Sequence, residues 1–109
     1  MQFSLRYLHP IEIDLQIPLQ DFTAYCSLSD LDIFWDEQLA EALNEGLRQA
    51  HFQILAQSVD LQNTFFIAHF SILPAQLEVD LSIIPQILQQ HAPLLHNEMH
   101  YRCPVLSKT

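Results

Sequence analysis

An α+β fold in one domain spanning residues 1–109 is what the sequence predicts, on three observations. Several stretches alternate apolar and polar residues with period two, which marks half-buried strands. Between them lie two stretches with helical periodicity. The order after Pro10 is strand, helix, strand, strand, helix, strand. That order is the βαββαβ pattern of a ferredoxin-like two-layer sandwich, here preceded by an extra N-terminal strand.

The N-terminal strand is "QFSLRYLH", where Phe3, Leu5 and Tyr7 alternate with Ser4 and Arg6 before Pro10 interrupts. "IEIDLQI", residues 11–17, gives the cleanest alternation in the chain: Ile11, Ile13, Leu15 and Ile17 on one face, Glu12, Asp14 and Gln16 on the other. Pro18 ends it, and residues 19–29 read as a short helical turn. A long helix is expected over 30–57, with Ser29 as N-cap and Asp30 and Asp32 in the first turn, where the helix dipole favours anions. Its apolar residues Trp35, Leu39, Leu43, Leu47 and Ile54, with Ala42, Gly46 and Ala50, fall within an arc of about 140°.

"NTFFIAHFSIL", residues 63–73, is aromatic and β-branched on both faces and predicts a strand covered on both sides. After a turn at Pro74-Ala75, "QLEVDLS", residues 76–82, alternates again, with Leu77, Val79 and Leu81 inward and Glu78 and Asp80 outward. "IIPQILQQHAPLL" suits a second helix with Pro85 in its first turn; Pro93 disfavours helical geometry at Ala92 and so breaks it there. From residue 99 a last strand turns Met99, Tyr101, Cys103 and Val105 to the core and His100 and Arg102 to water.

In a sandwich of this order the first strand lies between the third and the last. Glu12, Asp14, Glu78 and Asp80 then share the open face of the sheet as a secondary acidic face, partly neutralised by His100 and Arg102. The strand at 63–73 falls at an edge, in conflict with its doubly apolar pattern. Burial of that edge by a second copy resolves the conflict, so a homodimer is expected.

Composition narrows the function. Half the residues are hydrophobic and 16% are charged, apolar for a chain of 109 residues. Thirteen acids face four cations, Arg6, Arg48, Arg102 and Lys108, scattered singly, for a net charge of −9. Binding nucleic acid needs clustered cations to displace counterions from phosphates, so direct nucleic-acid binding is not expected, and anionic membranes are disfavoured for the same reason. No apolar run is long enough to span a bilayer, and the N-terminus lacks the charge and apolar core of a signal peptide. The single glycine, Gly46, excludes a glycine-rich phosphate loop. Cys26 and Cys103 form no CxxC pair; they read as reduced thiols in a cytoplasmic protein.

"HAPLLHNEMHYRC", residues 91–103, gathers three histidines, a glutamate and a cysteine. His96 and His100 have i, i+4 spacing, but Pro93 separates His91 from them and HExxH is absent. A strand with one wet face explains these residue types without a ligand, so no metal and no cofactor is expected. No nucleophile elbow occurs and no catalytic residues stand out.

The acids, by contrast, are concentrated. No Lys or Arg lies between residues 7 and 47, while nine of the thirteen acids do: Glu12, Asp14, Asp21, Asp30, Asp32, Asp36, Glu37, Glu41 and Glu45. Glu37, Glu41 and Glu45 follow i, i+4, i+8 on the long helix. Like charges at that spacing destabilise a helix by about 0.2–0.5 kcal/mol per pair. Such a row is either a solvated face that keeps an apolar domain dispersed or a surface that meets a basic partner. The second reading predicts a non-enzymatic acidic binding module that blocks the basic surface of a protein handling nucleic acid. In size and acidity it is comparable with toxin immunity proteins and phage-encoded inhibitors of bacterial defence, though no family motif is present. Its contact residues are Asp36, Glu37, Glu41 and Glu45. Two alternatives stand beside it. One is a small homodimeric enzyme or ligand-binding protein with His96, Glu98 and His100 at the subunit interface. The other is a structural subunit of a larger assembly, which the apolar 63–73 strand would suit.

Overall fold

The computed structural model describes residues 10–75 and 80–102. The N-terminal strand expected at Phe3–Tyr7, and Leu77, Glu78, Val79, Cys103 and Val105, lie outside the described residues. Four strands, β1 (Ile11–Pro18), β2 (Phe52–Gln62), β3 (Phe65–Pro74) and β4 (Glu98–Arg102), form one antiparallel sheet in the order β2-β3-β1-β4. β1 alternates buried and half-buried residues along its whole length, as its pattern predicts, and lies between the third and last strands.

Helices α1 (Leu19–Phe22), α2 (Leu31–Phe34), α3 (Glu41–Gln49) and α4 (Ile83–His91) supply the second layer. Between Phe22 and β2 the chain winds as one long helix over residues 28–49: a 3-10 turn at Leu28–Asp30, then α2, a π-helical turn at Trp35–Ala40, and α3. Trp35, Leu39 and Ala40 of this π-turn are all buried. Ser27 Oγ donates to Asp30 Oδ2 at 3.0 Å where this helix begins.

The inward residues of β1 (Ile11, Ile13, Leu15, Ile17) and β3 (Phe66, Ala68, Phe70, Ile72) pack under Leu31, Trp35, Leu39, Leu43 and Leu47 of the long helix and Ile84, Ile87 and Leu88 of α4. Among the described residues this core holds no buried polar or charged residue. α3 and α4 approach closely at Gly46, where an added Cβ would run into Ile87 Cδ1. Gly46→Leu is expected to wedge the two helices apart and cost about 1–3 kcal/mol by urea unfolding. Gly46→Ala should cost far less, since the Ile87 side-chain end can rotate away and the helix gains about 1 kcal/mol of propensity.

Two corrections follow, both with local causes. The helix expected over 30–57 stops at Gln49, and residues 52–57 belong to β2. His51, with φ 69°, takes the left-handed conformation that ends a helix, the role usually given to glycine. Ala50 N–H and His51 N–H close the last turn on Gly46 and Arg48 carbonyls, each at 3.0 Å. The strand expected over 76–82 is not seen in its described part: Asp80 precedes a turn at Leu81 and Ser82 that leads into α4. Its carboxylate accepts both the Ser82 N–H (3.0 Å) and the Ser82 Oγ–H (2.6 Å), and these bonds lower its pKa.

The segment 63–73 therefore fills a different slot. Asn63 and Thr64 turn a hairpin, Asn63 with φ 54°, and β3 starts at Phe65. β3 is paired on both sides, by β2 and by β1, so it is no edge. Its inward residues are buried and its outward Ile67, His69, Ser71 and Leu73 are half-buried. Among the described residues the free edge on this side of the sheet is β2.

Candidate functional site

Asp36, Glu37, Glu41 and Glu45 are all exposed on the long helix. They do not form one straight row. Asp36 leans towards β2, where with Trp35, Ala40, Gln57, Val59 and Phe70 it lines a hollow of about 210 Å³. Glu45 leans the other way, into the groove shared with Ile83, Ile87 and His91 of α4. Glu37 and Glu41 lie between these ends. Among the described residues neither makes a hydrogen bond or an ion pair, whereas Glu45 is paired with Arg48 and accepts from Gln49 Nε2 at 3.0 Å. The hydrogen bond from Arg48 is the main cause of the lowered Glu45 pKa, with Gln49 adding to it. The unrelieved acid is thus centred on Asp36, Glu37 and Glu41.

The open face of the sheet has a different character. β1 supplies Glu12 and Asp14, each flanked in register: Ser71 and Arg102 stand beside Glu12, His69 and His100 beside Asp14. His69 bridges the two acids, with Nδ1 at 2.6 Å from Asp14 Oδ1 and Nε2 at 2.9 Å from Glu12 Oε1. Ionised carboxylates only accept, so both contacts are hydrogen bonds together only when the ring carries both protons. Ser71 Oγ–H donates to Glu12 Oε2 at 3.1 Å. The expected secondary acidic face is corrected on two counts. Asp80 sits in the turn before α4 and not on the sheet, and His69, a residue that period-two reasoning left among apolar neighbours, joins His100 and Arg102 against Glu12 and Asp14. Glu78 lies outside the described residues. His69 could have been found from its place on the outward side of β3, had the register with β1 been known.

The histidine-rich stretch divides between elements. α4 ends at His91, and a loop at residues 92–97 is pinned to the opposite end of the helical layer: Tyr25 Oη accepts from Leu94 N–H (2.6 Å) and Asp21 Oδ2 from His96 N–H (2.9 Å). β4 then carries Glu98 and His100, whose Oε1 and Nε2 are 3.5 Å apart, both exposed. His96 is exposed on the loop, outside the strand. Among the described residues no group of three His, Cys, Asp or Glu could hold a metal ion. β4 turns Met99 and Tyr101 to the core side, opposite Leu15 and Ile13, but Tyr101 remains 55% exposed, less covered than its pattern predicts. Cys26 is half-buried; burial pushes its thiol pKa up and the Asp30 carboxylate adds to this, which disfavours the reactive thiolate.

No helix among the described residues is long and apolar enough to cross a membrane. No protein-family model matches the chain, and no curated protein matches it in sequence. Among solved structures, the C-terminal domain of the MgtC protein from Mycobacterium tuberculosis is similar in fold, with a TM-score of 0.52 at 5% identity, covering 89% of this chain and 88% of that one. At that identity the likeness extends to the mixed α+β architecture, a four-stranded antiparallel sheet under helices.

Proposed function

We propose that this chain is a non-enzymatic, acidic protein-binding module that docks on and blocks a basic surface, that of a protein handling nucleic acid, in the manner of an inhibitor or immunity protein of the cytoplasm. We also assign its sandwich to the ferredoxin-like class, a reading supported by the strand order β2-β3-β1-β4 and the helix after β1 and after β3.

The observation that carries the functional reading is the exposure of Asp36, Glu37 and Glu41 on one continuous helix, with no cation against them among the described residues. A helix carrying only a solubilising charge would gain from alternating signs, as Glu45 does with Arg48. Carboxylates held on a rigid helix, away from their own counter-ions, present a fixed pattern to an incoming Lys or Arg surface. The acids of the open face differ in being engaged within the chain: Glu12 and Asp14 both contact His69, and Arg102 stands in register beside Glu12.

The test is capture on the immobilised chain. A basic protein should be retained at low salt, and its affinity should fall steeply as ionic strength rises, because exposed charges are screened within about 10 Å at 0.1 M salt. Retention that is indifferent to salt, or retention of acidic proteins alone, removes the proposal.

A further inference from the structure

We infer that the edge of β2 that no strand covers among the described residues is the surface on which two copies of this chain join, β2 pairing antiparallel with β2 to make one sheet of both protomers. This does not rest on the docking reading, since the pairing strand is β2 and the acids of the long helix take no part in the pairing.

β2 is eleven residues long, yet only its start is covered: from Leu55 to Gln62 every residue is exposed. Its register with β3 shows which side each residue occupies. Gln57, Val59 and Leu61 stand opposite Phe70, Ala68 and Phe66, so they lie on the helix side of the sheet. The helices do not reach them. Val59 is 48% and Leu61 56% exposed, and a hollow lined by both Val59 and Trp35 opens beside the strand. The register shift between Ile54 and Ala56 lies near the start of the strand, leaving the stretch from Ala56 to Gln62 in unbroken register with β3. A long, regular edge with exposed apolar side chains is a template for another strand. The opposite edge is protected by charge: β4 carries Glu98, His100 and Arg102.

Charge decides for a second copy over a basic partner at this edge. The chain carries −9, but β2 contributes one formal charge, Asp60. The remaining polar side chains, Gln53, Gln57, Ser58 and Gln62, both donate and accept, so they are complementary to themselves. Of the four helix acids only Asp36 lines the hollow beside this strip, so two strongly acidic copies meet here with Glu37, Glu41 and Glu45 outside the contact. A two-fold axis at Val59 keeps every side chain on its proper face. It sets Val59 against Val59, Leu61 against Gln57, and Asp60 against Ser58, whose hydroxyl can donate to it. Such an axis runs perpendicular to the sheet and puts both helical layers on one side. The two hollows then flank a single groove floored by Val59 of each copy.

Sedimentation velocity on the full chain tests this. The wild type should run as a species of twice the 12.7 kDa chain mass in the micromolar range. Val59→Lys and Val59→Glu should each weaken the dimer by at least about tenfold, because like charges meet on the axis. An equal mixture of the two variants should restore it, which a misfolded protein could not do. Glu37→Lys with Glu41→Lys should leave the dimer intact. A wild type that stays monomeric, a Val59→Lys variant that dimerises undiminished, or a mixture that remains monomeric overturns the inference.

Discussion

Phe66→Ala is expected to destabilise the domain by about 3–5 kcal/mol, a large share of the roughly 5–15 kcal/mol that holds a domain of ordinary stability together. Phe66 is fully buried in β3, in register with Ile17 on one side and Leu61 on the other. Its ring meets Phe22 edge-on at 5.3 Å between centroids and Trp35 at 4.9 Å. It thereby ties the sheet to α1 and to the first residue of the π-turn at once. Truncation removes the apolar contact and leaves a cavity between two layers that each rest on a rigid backbone, so collapse around it is limited. Urea denaturation followed by circular dichroism measures the effect. Phe66→Leu keeps most of the volume and should cost under about 1.5 kcal/mol. Because Trp35 begins the turn that carries Asp36 and Glu37, the Ala variant should also blur the placement of the acids at temperatures where it remains folded.

The second large effect is on binding. Reversing Glu37 and Glu41 together, Glu37→Lys with Glu41→Lys, is expected to weaken the basic partner by roughly 100-fold, about 1.4 kcal/mol for each reversed charge. Both residues are exposed and make no hydrogen bond or ion pair among the described residues, so the fold loses no contact with them. Stability should hold to within a few tenths of a kcal/mol, because positions 37 and 41 stay alike in charge while the pair 41/45 turns from repulsive to attractive. The loss should appear mainly in the association rate and should shrink at high salt, the signature of steering by exposed charge. Arg48→Glu, at the paired end of the helix, should not imitate it.

How legible all this was depended on the kind of signal each element carries. β1 was readable because one face is buried and the other wet, so Ile11 to Ile17 alternate without exception. The start of the long helix was readable to within two residues from the acids Asp30 and Asp32, but its cap position is Ser27 and not Ser29, which lies inside the opening 3-10 turn; the break after α4 was readable from Pro93. The end of the long helix was not, because His51 takes the left-handed conformation where a glycine would have signalled it. With no glycine to mark the stop, Ile54 continues the apolar stripe in the sequence, and residues 52–57 of β2 fall within the helical pattern. The hairpin was hidden for a related reason: Asn63-Thr64 opens directly onto an aromatic run, so the turn read as the start of the strand. The expected order of elements survived with its strands displaced by one place, and the conflict over an edge strand with two apolar faces disappears once that strand is β3, flanked by β2 and β1.

The same displacement governs the candidate site. Exposed positions on a helix follow from periodicity, so the placement of Asp36, Glu37, Glu41 and Glu45 on its outer side was accessible. Their fanning was not, since the π-turn at Trp35–Ala40 has no mark in the residue types. The His69 bridge to Glu12 and Asp14 depends on pairing across more than fifty residues, which local pattern does not carry. The free edge of β2, with Val59 and Leu61 beyond the reach of the helices, became visible only with the register.

The most direct test of the central claim is a salt titration of partner affinity, run side by side on the wild type and on the Glu37→Lys, Glu41→Lys double variant. The wild type should bind tightly at low salt and lose affinity steeply as salt rises, with the variant weaker throughout and its slope shallower. Equal affinities and parallel slopes for the two proteins would contradict the claim that the acids of this helix are what the partner meets.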